Sequence, residues 1–277
     1  MSTTQTLILG GIAGFTIFLG LPIARMPNVS PTLRASLTAL ATGILVFLFW
    51  DVVSHAVDPI ESHLASHSWA SFSGYAALLI AGFGTGFMGL VYYDQWLRGR
   101  RATPHVGPGA AAVDEFEHRS WYETLTPGRQ LALLIATGIG LHNFGEGLAI
   151  GQSAAAGEIS LALVLIIGFG LHNATEGFGI AGPMAGEDER PSWGFLALLG
   201  LIGGGPTFIG TVVGQAWVSP ALATLFFAAA GGSILYVLLQ LFEVCRRYDR
   251  PKLIGWMILL GLLLGFGTDW ILVAAGA

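Results

Sequence analysis

Eight apolar stretches of about twenty residues run through the chain, at positions 7–24, 35–57, 72–92, 130–150, 159–182, 193–213, 220–242 and 253–274. A helix rises 1.5 Å per residue, so each is long enough to cross a hydrocarbon core of about 30 Å. A membrane β-barrel would instead show segments of about ten alternating residues. These runs are continuous, so their backbone groups must be paired within helices. The pattern predicts an all-α integral membrane protein of eight transmembrane helices in a single domain, residues 1–277. The first run has no basic segment before it and no clear small-residue cleavage site, which reads as a span and not a removed signal peptide.

Two runs break the apolar rule in the same way. Span 4 contains "GLHNFGEGLAIG" from Gly140, and span 5 contains "GLHNATEGFGIAG" from Gly170. An ionisable group at the centre of a bilayer costs at least ~2.5 kcal/mol on the mildest scales. Helical spacing puts His142 and Glu146 on one face, with Asn143 beside Glu146, and His172, Asn173 and Glu176 repeat that geometry. Spans 4 and 5 run antiparallel with midpoints near Leu141 and Leu171, so the clusters lie at matching depth. Two imidazoles, two carboxylates and two amides supply the nitrogen and oxygen donors that hard and borderline divalent cations prefer: Zn²⁺, Fe²⁺, Mn²⁺, Cd²⁺ or Co²⁺. Two ionised glutamates would also neutralise a dication in a medium that penalises net charge. The plainer alternative is polar glue, with Asn and His hydrogen-bonding two helices together. Gly147 and Gly177, each following a glutamate, leave room for a close neighbour or an ion's path, and Pro183 kinks or ends span 5.

Composition agrees with the pattern. Of 277 residues 53% are hydrophobic and only 10% charged, against about 25% charged in a soluble domain. The 12 basic residues are distributed without exception. Arg25 and Arg34 lie between spans 1 and 2; Arg98, Arg100, Arg101, Arg119 and Arg129 between 3 and 4; Arg190 between 5 and 6; Arg246, Arg247, Arg250 and Lys252 between 7 and 8. Basic residues favour the cytoplasmic side, so both termini are expected outside. That is the topology of a multi-pass protein of an inner or plasma membrane. Trp50, Tyr92, Tyr93, Trp96, Trp193, Trp217 and Trp256 fall near the predicted span ends. Forty glycines recur through the spans, permitting close helix packing or the sliding of one helix group past another. The single cysteine, Cys245, rules out an intramolecular disulfide and a multi-thiolate metal site within one chain. No GxxxxGK[ST] motif is present, so ATP drive through this chain is not expected, and no nucleic-acid partner is expected.

At these residues the chain resembles the ZIP (Zrt/Irt-like) family of divalent metal transporters, prokaryotic type. The match is the pair of HNxxEG motifs in spans 4 and 5, eight spans with both ends outside, and the longer cytoplasmic loop at residues 98–129. "AGGSILYVLLQLFE", from Ala230 to Glu243, is also similar to the family's seventh helix. The resemblance implies a metal site on His142, Asn143, Glu146, Asn173 and Glu176, with His172 in the same motif and placed toward the exit. It also implies an inverted repeat relating spans 1–3 to spans 6–8 around the central pair. Many relatives carry a glutamate before the proline of span 6, where this chain has Gly205 before Pro206, which puts a second metal position in doubt.

Other polar residues are less distinctive. Asp51 and His55, at i and i+4 near the outer end of span 2, form a candidate entrance. Asp58, Glu61, His63 and His67 follow in an outer connection without basic residues, an electronegative mouth that attracts cations. His105 and His118, with Asp114, Glu115 and Glu117 nearby, sit in the 98–129 loop. Asp269 and Glu243 are expected to make helix-to-helix hydrogen bonds. The sequence therefore favours a carrier, not an enzyme, that moves a divalent cation, zinc first, from outside to cytosol. It has the bilayer around it and a homodimer as a candidate assembly. The alternative is an intramembrane metal-dependent hydrolase, although the HExxH pattern is absent. A metal sensor without transport is a third reading.

Overall fold

A computed structural model describes residues 2–26, 30–101, 121–157, 159–216 and 219–275. Eight α-helices lie among the described residues, one for each apolar stretch: α1 (Thr3–Phe15), α2 (Pro31–Ala65), α3 (Trp69–Arg101), α4 (Pro127–Ala155), α5 (Ile159–Ala181), α6 (Trp193–Ala216), α7 (Pro220–Arg247) and α8 (Pro251–Ala275). Seven are long and apolar enough to cross a membrane, with α1 counted through to Arg25. The remaining helix, α5, has 23 residues, some of whose side chains lie outside the described set. The chain is a multi-pass, all-helical membrane protein. His105, His118 and Trp217 lie outside the described residues.

Local sequence explains where helices begin. Ser30, Thr126 and Ser219 each accept a hydrogen bond from the backbone N–H three residues on, and each is followed by proline at the first helical position. That pairing satisfies one orphan donor, while proline occupies a site whose N–H has no intrahelical partner. Helix α5 ends at Ala181 and passes into a 3-10 turn, Gly182–Met184, at Pro183. Helix α2 departs from the expected boundary. It continues through Pro59 to Ala65, so Asp58, Glu61 and His63 are carried on a helix and not on a connecting loop. The extension also leaves Trp50 near the middle of α2, against Phe47 and Phe266, and not at a helix end.

Span 1 is not one continuous α-helix. After Phe15 it tightens into 3-10 turns, Thr16–Leu19 and Leu21–Arg25, the second containing Pro22. Proline has no N–H to continue the ladder.

The helices pack as two groups. In the first, α4 lies along α6, and α1 packs on both α6 and α5. In the second, α3 lies along α7 and α2 along α7 and α8. The groups meet chiefly where α4 touches α7 and α5 touches α2 and α8. Lipid offers helices no hydrophobic reward for associating, so close backbone approach supplies the contact. At the α4–α6 crossing a Cβ on Gly147 would collide with the Thr207 carbonyl, and one on Gly210 with the Phe144 carbonyl. Gly86 meets the Ala229 carbonyl where α3 crosses α7. Outward faces are apolar, with Ile80, Ile167, Leu263 and Trp256 largely exposed to the lipid side.

At the arginine-bearing end, the connection between α5 and α6 is tied to its own group. Glu187 lies 3.3 Å from Arg129 Nε and accepts a 2.5 Å hydrogen bond from Thr126. Arg25 donates to the Pro191 carbonyl and lies over the Trp193 ring. Burial pushes the Glu187 carboxyl above its ordinary range, against the opposing Thr126 hydrogen bond and Arg129 charge.

The crossing yields a stability prediction. Gly210→Leu drives a side chain into the Phe144 carbonyl and is expected to cost ~1–3 kcal/mol or more by overpacking. Gly89→Leu, where an added side chain meets nothing within 4 Å, should be nearly neutral. Thermal unfolding of both in detergent checks the contrast.

Candidate functional site

The two polar clusters converge as their spacing implies. Their described side chains are nearly sealed, from 0% exposed for Asn143 and Asn173 to 3% for Glu146. On α4, the i, i+4 relation brings His142 Nε2 to 3.1 Å from Glu146 Oε1. Between helices, Asn143 Nδ2 donates to Glu176 Oε2 at 3.1 Å and to the Gly203 carbonyl of α6 at 3.0 Å. One carboxamide thus joins α4, α5 and α6. The side chain of His172 lies outside the described residues.

Asn173 points its amide at α1. Its Nδ2 donates to the Ala13 carbonyl at 3.0 Å, just before the helix gives way to 3-10 geometry. Thr16 Oγ1 sits between that carbonyl, at 2.7 Å, and the Gly170 carbonyl of α5, at 2.5 Å. Gly177 closes the junction, since a Cβ there would strike the Ile17 carbonyl. The two motif glycines therefore make room for neighbouring backbone: α6 at Gly147 and the 3-10 turn after α1 at Gly177.

These bonds fix the amide orientation. Both asparagine nitrogens face acceptors, so both Oδ1 atoms face the other way, as the hydrogen-bond network requires. Asn143 Oδ1, Asn173 Oδ1, Glu146 Oε2 and Thr207 Oγ1 are all buried without a hydrogen-bond partner. A buried oxygen left unpaired costs ~1–3 kcal/mol, and native proteins carry few. These four lie on α4, α5 and α6, the helices that also carry His142, Glu146 and Glu176. Among the described residues no three His, Cys, Asp or Glu side chains group closely enough to hold a metal ion. A cation here needs the amide or hydroxyl oxygens as well.

The candidate entrance is partly assembled. His55 Nδ1 lies 3.6 Å from the half-buried Asp51 carboxylate, and Asp51 is within electrostatic reach of Asp269 on α8 and His142 on α4. Asp269 thereby belongs with Asp51 and is not an isolated helix contact. Glu243 pairs with Arg247 one turn along its own helix. Position 205 lies about 200° around α6 from Gly203 and Thr207, and an added side chain there meets nothing within 4 Å.

Sequence reading missed the contributions of α1 and α6. Two are backbone carbonyls, Ala13 and Gly203, which carry no side-chain signal. Thr207 carried a faint one: a hydroxyl directly after the proline of an otherwise apolar helix. A scan against protein-family models and a search of curated proteins find no match for this chain.

Asn143→Leu should lower stability by ~1–3 kcal/mol, because it strips the donor from both Glu176 Oε2 and the Gly203 carbonyl. Thermal unfolding of purified protein in detergent measures the loss.

Proposed function

We propose that the chain is a carrier that passes a divalent metal ion, zinc foremost, through the bilayer by way of the site on α4 and α5. The carrying observation is the set of buried, unpaired oxygens beside His142, Glu146 and Glu176. A structural hydrogen-bond cluster would spend its acceptors within itself. Here both amide nitrogens of the pair donate to a carbonyl or carboxylate, and acceptors are left over. Oxygen and imidazole donors around two carboxylates suit Zn²⁺, Fe²⁺, Mn²⁺, Cd²⁺ or Co²⁺, and the two negative charges offset those of one dication.

The resemblance of the HNxxEG pair to the ZIP family supports the same reading, with both termini outside and metal moving toward the cytosol. All four unpaired oxygens lie on the first helix group, whereas Asp51, His55 and Asp269 lie on the second. In the proposed cycle, movement of one group against the other alternates access to the site, in keeping with the inverted repeat of spans 1–3 and 6–8 that the resemblance implies. Asp51 and His55 deliver the ion.

Proteoliposomes holding a zinc-sensitive dye test the reading. The unsubstituted protein should give saturable zinc influx, and the Glu146→Ala, Glu176→Ala double variant should give none while still inserting. Normal flux through the double variant would overturn the proposal.

Zinc affinity should also fall on acidification, because ligation needs neutral imidazole and ionised carboxylate. Equilibrium binding in a pH series checks the sign. Affinity independent of pH would count against these ligands.

A further inference from the structure

Threonines within helices usually bond their hydroxyl back to the carbonyl four residues earlier. In this chain Thr42, Thr137, Thr211 and Thr224 all do so, at 2.8 to 3.0 Å. Thr207 is fully buried in the same kind of helix and does not: its Oγ1 has no hydrogen-bond partner. The carbonyl it would use is that of Gly203, which already accepts from Asn143 Nδ2 at 3.0 Å. A carbonyl has two lone pairs, and the helix ladder and Asn143 both draw on this one, so the hydroxyl meets a competitor there. Asn143 thus displaces the hydroxyl from its local bond.

The hydroxyl lies at the crossing of α6 and α1. A Cβ built on Gly14 would lie 2.9 Å from Thr207 Oγ1, so the oxygen faces α1 across a position with no side chain. The residue before Gly14 is Ala13, whose carbonyl holds Asn173. On the α4 side, the Thr207 carbonyl abuts Gly147, the neighbour of Glu146. Thr207 therefore stands at the level of Glu146 and against the same turn of α1 as Asn173.

We propose that Thr207 is the contribution of α6 to the cation site, a neutral oxygen donor kept available by the Asn143–Gly203 hydrogen bond. The proposal rests on the reading of the α4–α5 clusters as a cation site. It accounts for how the site gains oxygens where, among the described residues, acidic and imidazole side chains alone do not group around an ion. It also gives α6 a role that position 205, facing away, does not supply.

Zinc binding by the purified full-length protein, measured by competition with a chelating dye, tests the assignment. Thr207→Val keeps the shape and removes the hydroxyl, and should weaken zinc binding about tenfold, the lower end of what loss of a supporting ligand costs. Thr207→Ser should bind nearly as the unsubstituted protein does. Thr211→Val, one turn away with its hydroxyl already bonded, should leave affinity unchanged. Thr207→Cys places a soft donor at the same point and should shift preference toward Cd²⁺ over Mn²⁺, which a purely structural role would not do. That variant decides the matter if Thr207→Val fails to fold.

Unchanged affinity in a folded Thr207→Val, or an unchanged cadmium preference in Thr207→Cys, would overturn the proposal and leave the cation-site reading standing. No metal binding by the unsubstituted protein would overturn both.

Discussion

One primary amide sets the geometry of the site. Asn143 spends its two N–H groups on Glu176 of α5 and the Gly203 carbonyl of α6, so three helices are fixed relative to one another at a single nitrogen. In the bilayer interior no water takes over a bond that is lost, which makes such a junction far less forgiving than the same contact at a surface. The remaining features follow from it. The amide oxygen is turned away from α6, and at the Gly203 carbonyl Asn143 competes with the Thr207 hydroxyl, which has no hydrogen-bond partner. Asn173 does the same for α1 by holding the Ala13 carbonyl where the helix tightens.

Packing provides the conditions for that junction. Leucine gains little by touching another leucine in lipid, so the helix group around the site is joined through backbone contact at small residues. The Gly147–Thr207 and Gly210–Phe144 approaches on either side of the α4–α6 crossing bring α6 near enough for a short asparagine side chain to reach its carbonyl. The second group, built on α2 with α3, α7 and α8, meets the first mainly at α4 and α5. The hydrogen bonds of Asn143 and Asn173 therefore stay within one packed unit, while α4 and α5, the helices that carry them, also make that unit's main contacts with the other.

Much of this was legible in the sequence, for identifiable reasons. Apolar length revealed the eight long helices among the described residues, because a hydrocarbon slab imposes a minimum length on a crossing. Helical periodicity brought His142 to Glu146, and antiparallel depth brought Asn143 to Glu176. Pro183 ended α5 as expected. Apolar length stopped span 2 short, because a helix outlasts its apolar stretch and tolerates proline when the lost bond is made up nearby, so α2 runs on through Pro59 and carries Asp58, Glu61 and His63. The partners of the asparagines were invisible, since they are backbone carbonyls. Their availability depends on a 3-10 transition in α1 and on the closeness of α6, which are properties of the assembled bundle. Thr207 was overlooked because a threonine in an apolar helix ordinarily satisfies itself.

The charge balance gives the neutral donors their meaning under the proposed reading. Glu146 and Glu176 alone match a dication, and a third carboxylate from α6 would leave the loaded site negative in a medium where net charge is costly. Amide and hydroxyl oxygens add coordination without adding charge. They also hold the ion less tightly than carboxylates would, which suits a carrier, since an ion bound too strongly is never released. A site with two acids, two amides and a hydroxyl fits transport of one dication at a time. Gly205, on the far side of α6, is then a position with no ligand to provide, and the oxygen that α6 does offer comes from the opposite face of the same helix.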